Sequence, residues 1–356
     1  MKRILWTACF LILITGIFTA CGRADNFYKN GKKSLKDGDY AKAAECFASA
    51  VSINPNQAEY FIDYGLALIQ LGEYENAISV FERAYMNKDM SIIRENDKKV
   101  LFGKGIAYYH MGEYASCVQE FENALKIKEL SEMNTDIILY MACAHQAEGQ
   151  YDKAIDELSQ LLVNDSKNAF VYAKRAECYR LMADMANSLA DFNKAIELEP
   201  GNYEYYFAKY YLLEEMGDAS GAKAVLEEAD KLELSNERDK YYKALIHYYQ
   251  GQYDIALVEL EECLANEDIR AAYYIGEIYR IRKDYTNAIY YYEKAINDSK
   301  AQFSNVFNQI AVCLMKTGAY EEALKYIEKG LSHKDASRDR VLRKNEIIAY
   351  EYVVLF

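Results

Sequence analysis

Apolar residues in this chain recur at helical spacing, in paired stretches joined by a short glycine turn. Residues 58–86 read AEYFIDYGLALIQLGEYENAISVFERAYM, with one apolar-periodic run before Gly72 and a second after it. The second half of that phrase returns as GDYAKAAECFASA at 38–50, GEYASCVQEFENA at 112–124 and GQYDKAIDELSQL at 149–161. It continues as ADMANSLADFNKA at 183–195, GDASGAKAVLEEA at 217–229 and GQYDIALVELEEC at 251–263, then KDYTNAIYYYEKA at 283–295 and GAYEEALKYIEKG at 318–330. Upstream of each turn lies a companion stretch, clearest in YFIDYGLALIQ, VLFGKGIAYYH, VYAKRAECYRL and YYIGEIYRI. The pattern predicts a succession of helical hairpins. Only two prolines in 356 residues agree with long helices and short turns.

A phrase repeated at this period resembles the tetratricopeptide repeat, and the resemblance covers essentially everything after residue 24. With the turn glycine as position 15, repeats begin near residues 24, 58, 98, 135, 169, 203, 237, 269 and 304, spaced by 34, 40, 37, 34, 34, 34, 32 and 35. The resemblance implies an all-α, right-handed superhelical solenoid of about nine helix-turn-helix repeats over residues 24–336. A C-terminal capping helix is expected over 338–356, ending in the apolar VVLF, because one repeat cannot bury its own stripe and the last needs a cover. The extra residues at 87–97 and before the fourth repeat read as lengthened helices or loops.

The positions have physical reasons. Gly65, Gly105, Ala142, Ala176, Ala244, Gly276 and Ala311 stand at position 8, where two helices of a repeat approach closely. Tyr210 takes that place in the sixth repeat, which predicts looser or shifted packing there. Alanines recur at position 20 (Ala43, Ala77, Ala154, Ala222, Ala256, Ala288, Ala323) and at position 27. Phe47, Phe81, Phe121 and Phe192 at position 24 are expected to fill the space between repeats. Pro55 and Pro200 stop second helices, and Gly72, Gly112 and Gly149 are expected to cap first helices at positive φ.

The first 21 residues stand apart from this pattern. Lys2 and Arg3 precede a nearly continuous apolar run at 4–20, the layout of a secretory signal. Phe18-Thr19-Ala20-Cys21 resembles a bacterial lipobox, which implies cleavage before Cys21 and lipid attachment to its thiol. An uncleaved apolar anchor and plain secretion are the alternatives. The run is short for a span and is broken by Thr7, Thr15 and Gly16. The expected location is the bacterial cell membrane, lipid-anchored on its extracytoplasmic face.

Charge narrows the partners. The chain carries 42 basic and 55 acidic residues, which speaks against nucleic acid and against a polybasic membrane surface. Membrane contact is expected through the lipid anchor only. Eight cysteines include Cys9 and Cys21 in the leader; the other six take helix positions, with no C-x-x-C, and read as buried free thiols. Four histidines fall in four repeats, and His145 and His247 at position 11 read as core or turn residues. No zinc, phosphate-loop, dinucleotide or nucleophile-elbow motif occurs. The chain is expected to be no enzyme, with no cofactor and no metal site.

In the tetratricopeptide family the concave face is lined by first-helix positions 2, 5, 9, 12 and 13. Carried onto this chain, that mapping selects Phe102, Tyr109, Phe170, Arg180, Phe207, Tyr211, Arg238, Tyr241, Tyr248, Arg270, Tyr273 and Arg280 as candidate groove residues. The composition adds weight, with 34 tyrosines against 14 phenylalanines. Tyrosine with arginine makes the rigid amphipathic surface that dominates binding hot spots, although any one of these residues can equally pack between neighbouring first helices. The family's carboxylate clamp is absent at the start, where Tyr28, Lys32 and Asp63 take its places. The reading is a lipid-anchored scaffold that binds a protein or peptide in its groove. The alternatives are a structural or self-associating envelope protein and a glycan-binding protein that uses the aromatic groove.

Overall fold

The computed structural model describes residues 22–86, 94–296 and 304–332, and within them the regular structure is helical. Nine hairpins follow in order. The first is α1 (residues 22–36) with α2 (Tyr40–Ile53), then α3 (Ala58–Gln70) with α4 (Tyr74–Met86), and α5 (Arg94–Met111) with α6 (Tyr114–Leu125). Next come α7 (Asn134–Ala147) with α8 (Tyr151–Asn164), α9 (Ala169–Leu181) with α10 (Met185–Leu198), and α11 (Tyr203–Glu215) with α12 (Ala219–Ala229). The last three are α13 (Glu237–Tyr249) with α14 (Tyr253–Ala265), α15 (Arg270–Ile281) with α16 (Tyr285–Ile296), and α17 (Ser304–Thr317) with α18 (Tyr320–Leu331). The hairpins gather into two compact units that part after Leu198, so hairpins 1–5 belong to an N-terminal unit and hairpins 6–9 to a C-terminal unit. The leader with Cys9 and Cys21, His333 and the expected capping helix lie outside the described residues, as do residues 87–93.

First helices begin where the repeat phasing places them, to within a residue or two, except α5. That helix starts at Arg94, four residues early, so part of the expected insertion lengthens it. Before the fourth repeat the extra residues form a loop with a 3-10 turn at Ser131–Met133. Lys98 ties this loop down. Fully buried, it donates to the carbonyl oxygens of Ile127 (3.1 Å) and Glu129 (2.9 Å) and to Asn134 Oδ1 (2.7 Å).

Hairpins close on small residues. The alanines at positions 20 and 27 are buried in every hairpin that has them. The large residue at position 24 also acts inside its own hairpin: a β-carbon on Gly65 would lie 2.6 Å from the Phe81 ring, and one on Gly276 would lie 2.7 Å from Tyr292. Phe81 additionally lies against Gly103 of the next hairpin. The expectation that position 24 fills the space between repeats therefore holds for Phe81, which fills the space within its hairpin as well. The ring can lie against both glycines because bare backbone lets a flat ring approach closely. Hairpin 6 exchanges the sizes, with Tyr210 at position 8 and buried Leu226 at position 24.

Turns between paired helices share one backbone form. Gly72, Gly112 and Gly149 have φ near +77°, as the sequence predicts. Ala183 (φ +60°) and Lys283 (φ +64°) take the same left-handed conformation without glycine. The turn geometry is imposed by the hairpin, whichever residue occupies it.

Candidate functional site

In the N-terminal unit the first helices α1, α3 and α5 bring together Tyr28, Ile62, Leu66, Lys99 and Phe102, with Met133 of the 3-10 turn before α7, around an open cavity of about 420 Å³. Tyr28 donates to Asp63 Oδ2 (2.7 Å) and Lys32 to the same oxygen (3.0 Å), so the positions of the absent clamp satisfy one another. Phe102 and Tyr109 are half-buried and pack edge-on against Tyr140, with ring centres 6.2 and 5.5 Å away. Phe170 is 45% exposed beside the ammonium of Lys174, and Arg180 is half-buried.

The C-terminal unit holds the denser site. Along α11, α13 and α15, aromatic residues interlock from one first helix to the next. Phe207 meets Tyr242 (5.5 Å between ring centres) and Tyr241 meets Tyr274 (6.3 Å), so position 5 packs on position 6 of the following hairpin. Tyr210 meets Tyr249 at 5.0 Å, and Tyr248 and Tyr273 flank Tyr274 at 5.2 Å each. Three phenols form a hydroxyl chain across the three helices, Tyr211 to Tyr249 at 2.9 Å and Tyr249 to Tyr274 at 3.2 Å. Burial pushes the Tyr249 and Tyr274 phenols far above their ordinary range, so they stay protonated.

Burial separates the candidate groove residues into two kinds. Phe207 and Tyr241 are 4% and 7% exposed, so both are packing residues rather than groove lining. The reason is the junction they fill. The backbones of α11 and α13 meet sparingly and α12 makes no substantial contact with α13, so long aromatic side chains bridge what small residues close elsewhere. Tyr211 is 45% exposed, Arg238 is exposed, and Tyr248, Arg270, Tyr273 and Arg280 are half-buried. Tyr242 and Tyr274 escaped the family's concave-face mapping. The tyrosine recurring at position 6 in the seventh and eighth repeats is the signal that points to them.

Every arginine of this face already has an acid. Arg238 pairs with Glu204, which also accepts from the Tyr242 hydroxyl (3.0 Å). Arg270 forks onto Asp268 at 2.8 and 2.5 Å while its guanidinium lies 4.1 Å from the centre of the Tyr241 ring, a cation–π contact. Arg280 forks onto buried Glu277 at 3.2 and 2.6 Å, and fully buried Tyr292 donates to the same carboxylate. The Asp268 and Glu277 carboxylates, through hydrogen bonds to the guanidinium, hold Arg270 and Arg280 above the ordinary arginine range.

The histidines among the described residues are structural. Buried His145 lies 3.0 Å from Glu157 Oε2, and His247 lies 2.5 Å from Glu259 Oε2, each bonding position 11 to position 23 within a hairpin. Exposed His110 stacks on Tyr74. Cys117, Cys178, Cys263 and Cys313 are buried and Cys46 and Cys143 half-buried, all as free thiols. Among the described residues no three histidine, cysteine, aspartate or glutamate side chains are placed to hold a metal ion. No described helix is long and apolar enough to cross a membrane.

Models described as tetratricopeptide repeat match residues 28–91 and 241–303, 171–202 and 304–333, and 136–167, together more than half of the chain. The chain belongs to the tetratricopeptide repeat family. Tetratricopeptide repeat protein 16 of Macaca fascicularis is 20% identical over 350 residues, 94% of this chain but 37% of that protein, so the chain spans little more than a third of that relative. Small glutamine-rich tetratricopeptide repeat-containing protein beta of Homo sapiens is 35% identical over 57 residues, 16% of this chain and 19% of that protein. Among solved structures, a tetratricopeptide repeat protein from Parabacteroides merdae matches with a TM-score of 0.53 and 15% identity, covering 71% of this chain and 99% of its own. The C-terminal part of a TPR repeat-containing protein from Cytophaga hutchinsonii matches with a TM-score of 0.50 and 15% identity, covering 80% and 99%. These structural likenesses concern the fold. The tetratricopeptide hairpins here line up aromatic and charged side chains along their first helices.

Proposed function

We propose that this chain is a lipid-tethered scaffold on the extracytoplasmic side of a bacterial membrane that holds a protein or peptide segment against its first-helix faces. The observation that carries the binding role is the aromatic face of α11, α13 and α15, where half-exposed tyrosines stand in a fixed, interlocked array. Such an array loses little side-chain entropy when a ligand arrives. The tether rests on residues 1–21, whose charged start, apolar run and Cys21 follow the layout of a lipoprotein signal.

Panning the immobilised full chain against a random peptide library tests the binding role. Captured peptides are expected to lose affinity about tenfold on Tyr248→Ser, the size of an anchor truncation, in a chain whose circular dichroism shows that the helices are kept. Capture unaffected by that change and by Tyr211→Ser would remove the face from the mechanism. For the tether, the chain expressed in a bacterium is expected to incorporate labelled palmitate, and Cys21→Ser to abolish labelling. Labelling that survives the substitution would overturn it.

One observation favours a second reading, self-association. Ile255 and Val258 on α14 are 50% and 67% exposed, one helical turn apart. Sedimentation of the wild type against Val258→Asp decides between an oligomer built on this helix and a monomeric scaffold.

A further inference from the structure

His247 on α13 sits between two carboxylates that belong to two different hairpins. Its Nδ1 lies 2.5 Å from Glu259 Oε2 on α14, inside hairpin 7. Its Nε2 lies 3.8 Å from Oδ1 of Asp230, the residue that ends α12 in hairpin 6. The first contact is a hydrogen bond, and the second is too long to be one. Asp230 Oδ1 is buried and accepts no aligned hydrogen bond; the Lys243 ammonium lies 2.6 Å from it and donates instead to the Asp230 carbonyl.

The count of protons explains the difference. An ionised carboxylate only accepts, so the bond to Glu259 fixes the neutral ring with its proton on Nδ1. Nε2 then presents a lone pair to a second acceptor, and no bond forms. A second proton on the ring turns Nε2 into a donor beside a buried oxygen that lacks one. Closing by about 1 Å gives a charge-assisted hydrogen bond. That bond falls where backbone contact is sparse, since hairpins 6 and 7 meet through aromatic side chains on α11 and α13. His145 is the contrast: it pairs with Glu157 in the same way, yet no second carboxylate of the described residues lies within 4 Å of it. Around α13, Glu204 of α11 is held by Arg238 and Glu262 of α14 by Lys240. Asp268 and Glu277, before and on α15, are held by Arg270 and Arg280, which leaves Asp230, Glu259 and Lys243 as the charged groups gathered at the imidazole.

We propose that His247 is a proton-operated latch: a proton taken up at Nε2 is donated in a hydrogen bond to Asp230, which fastens hairpin 6 to hairpin 7 and holds Tyr211 against Tyr249. The junction is therefore tighter in mildly acidic surroundings than in neutral ones. The latch concerns the junction alone and stands whatever the aromatic face binds.

Amide hydrogen exchange of the full chain at about pH 5.5 and about pH 7.5, the range in which histidine changes charge, tests it. Exchange is read by mass spectrometry and corrected for its intrinsic pH dependence. Lysine, aspartate and glutamate ordinarily keep one charge state across that range. Residues 199–236 contain no histidine, so a response in hairpin 6 comes from across the junction. Protection of α11 and α12 is expected to be about tenfold higher at the lower pH, the size of a hydrogen bond to a charged group, with hairpin 8 unchanged. Asp230→Ala and His247→Phe should each abolish that difference, and His145→Phe should keep it. Equal protection at the two pH values, or a difference that survives Asp230→Ala, would overturn the latch. Loss of the difference in His145→Phe would overturn it too, as a response of the whole chain. Should His247→Phe fail to fold, Asp230→Ala decides by itself, because Asp230 is half-exposed at a helix end.

Discussion

The phenol oxygen of Tyr211 on α11 lies 2.9 Å from that of Tyr249 on α13, joining two hairpins whose backbones barely meet. The other consecutive hairpins within each unit meet through the second helix of one and the first helix of the next. Here aromatic side chains do that work, and the same side chains make the candidate binding face. Packing and recognition therefore share residues in hairpins 6 to 8.

That sharing makes Tyr249 the weak point of the junction. Tyr249→Phe breaks both hydroxyl contacts and is expected to cost about 1 kcal/mol. Tyr249→Ala removes the ring as well and is expected to cost about 3 kcal/mol, read from urea denaturation. Amide hydrogen exchange should then rise first in α11 and α12, which this junction anchors to α13. Uniform loss of protection through α15–α18 would contradict the assignment.

The pairing of Gly65 with Phe81 makes a different kind of prediction. A methyl group at Gly65 has nowhere to go, since its β-carbon would sit 2.6 Å from the ring. Gly65→Ala is expected to destabilise by about 1–3 kcal/mol, the usual range for overpacking. Phe81→Leu in the same chain should return part of the loss, as Leu226 does for Tyr210 in hairpin 6. A double-mutant cycle by chemical denaturation checks the coupling.

Two turns adopt left-handed backbone without glycine. Ala183→Gly and Lys283→Gly are expected to stabilise by about 0.5–1 kcal/mol each, because an L side chain costs roughly that much at positive φ. The same change at Lys325, an exposed mid-helix residue of α18, should destabilise by a similar amount. Urea midpoints of the three variants measure the contrast.

Buried acids that are neutral when protonated set the alkaline limit of stability. Burial pushes the Cys117 thiol from 9.0 up to about 12, and it raises the phenols of Tyr249, Tyr274 and Tyr292 well above 10.0. A folded-state pKa above the unfolded value means stability that is complete below the unfolded value and lost as pH rises through the shifted range. The denaturation midpoint is thus expected to hold from neutral pH to about 9 and to fall beyond it, with each such group adding about 1.4 kcal/mol per pH unit to the slope. Tyrosinate absorbance of the buried phenols should appear with unfolding, not ahead of it.

Much of this was readable before any fold was known. The phasing placed the starts of α3, α7, α9, α11, α13, α15 and α17 within one residue, because position 8, 20 and 27 small residues and the turn glycines recur with the helix period itself. It also marked Tyr211, Tyr248 and Tyr273 as surface candidates. The concave-face mapping misplaced Tyr241 and Phe207, since position 5 faces both the groove and the neighbouring first helix. Which of the two wins depends on how far apart those helices stand. It missed Tyr274 and Tyr242 for the same reason.

Repeat identity and hairpin boundaries are local properties, and periodicity reports them because each hairpin solves the same packing problem with the same residue sizes. The sparse contact between α11 and α13, the phenol chain that bridges it and the pairing of Arg238 with Glu204 are relations between residues 25 to 40 positions apart. No pattern along the chain encodes them, because they depend on the spacing of helices after the hairpins have stacked.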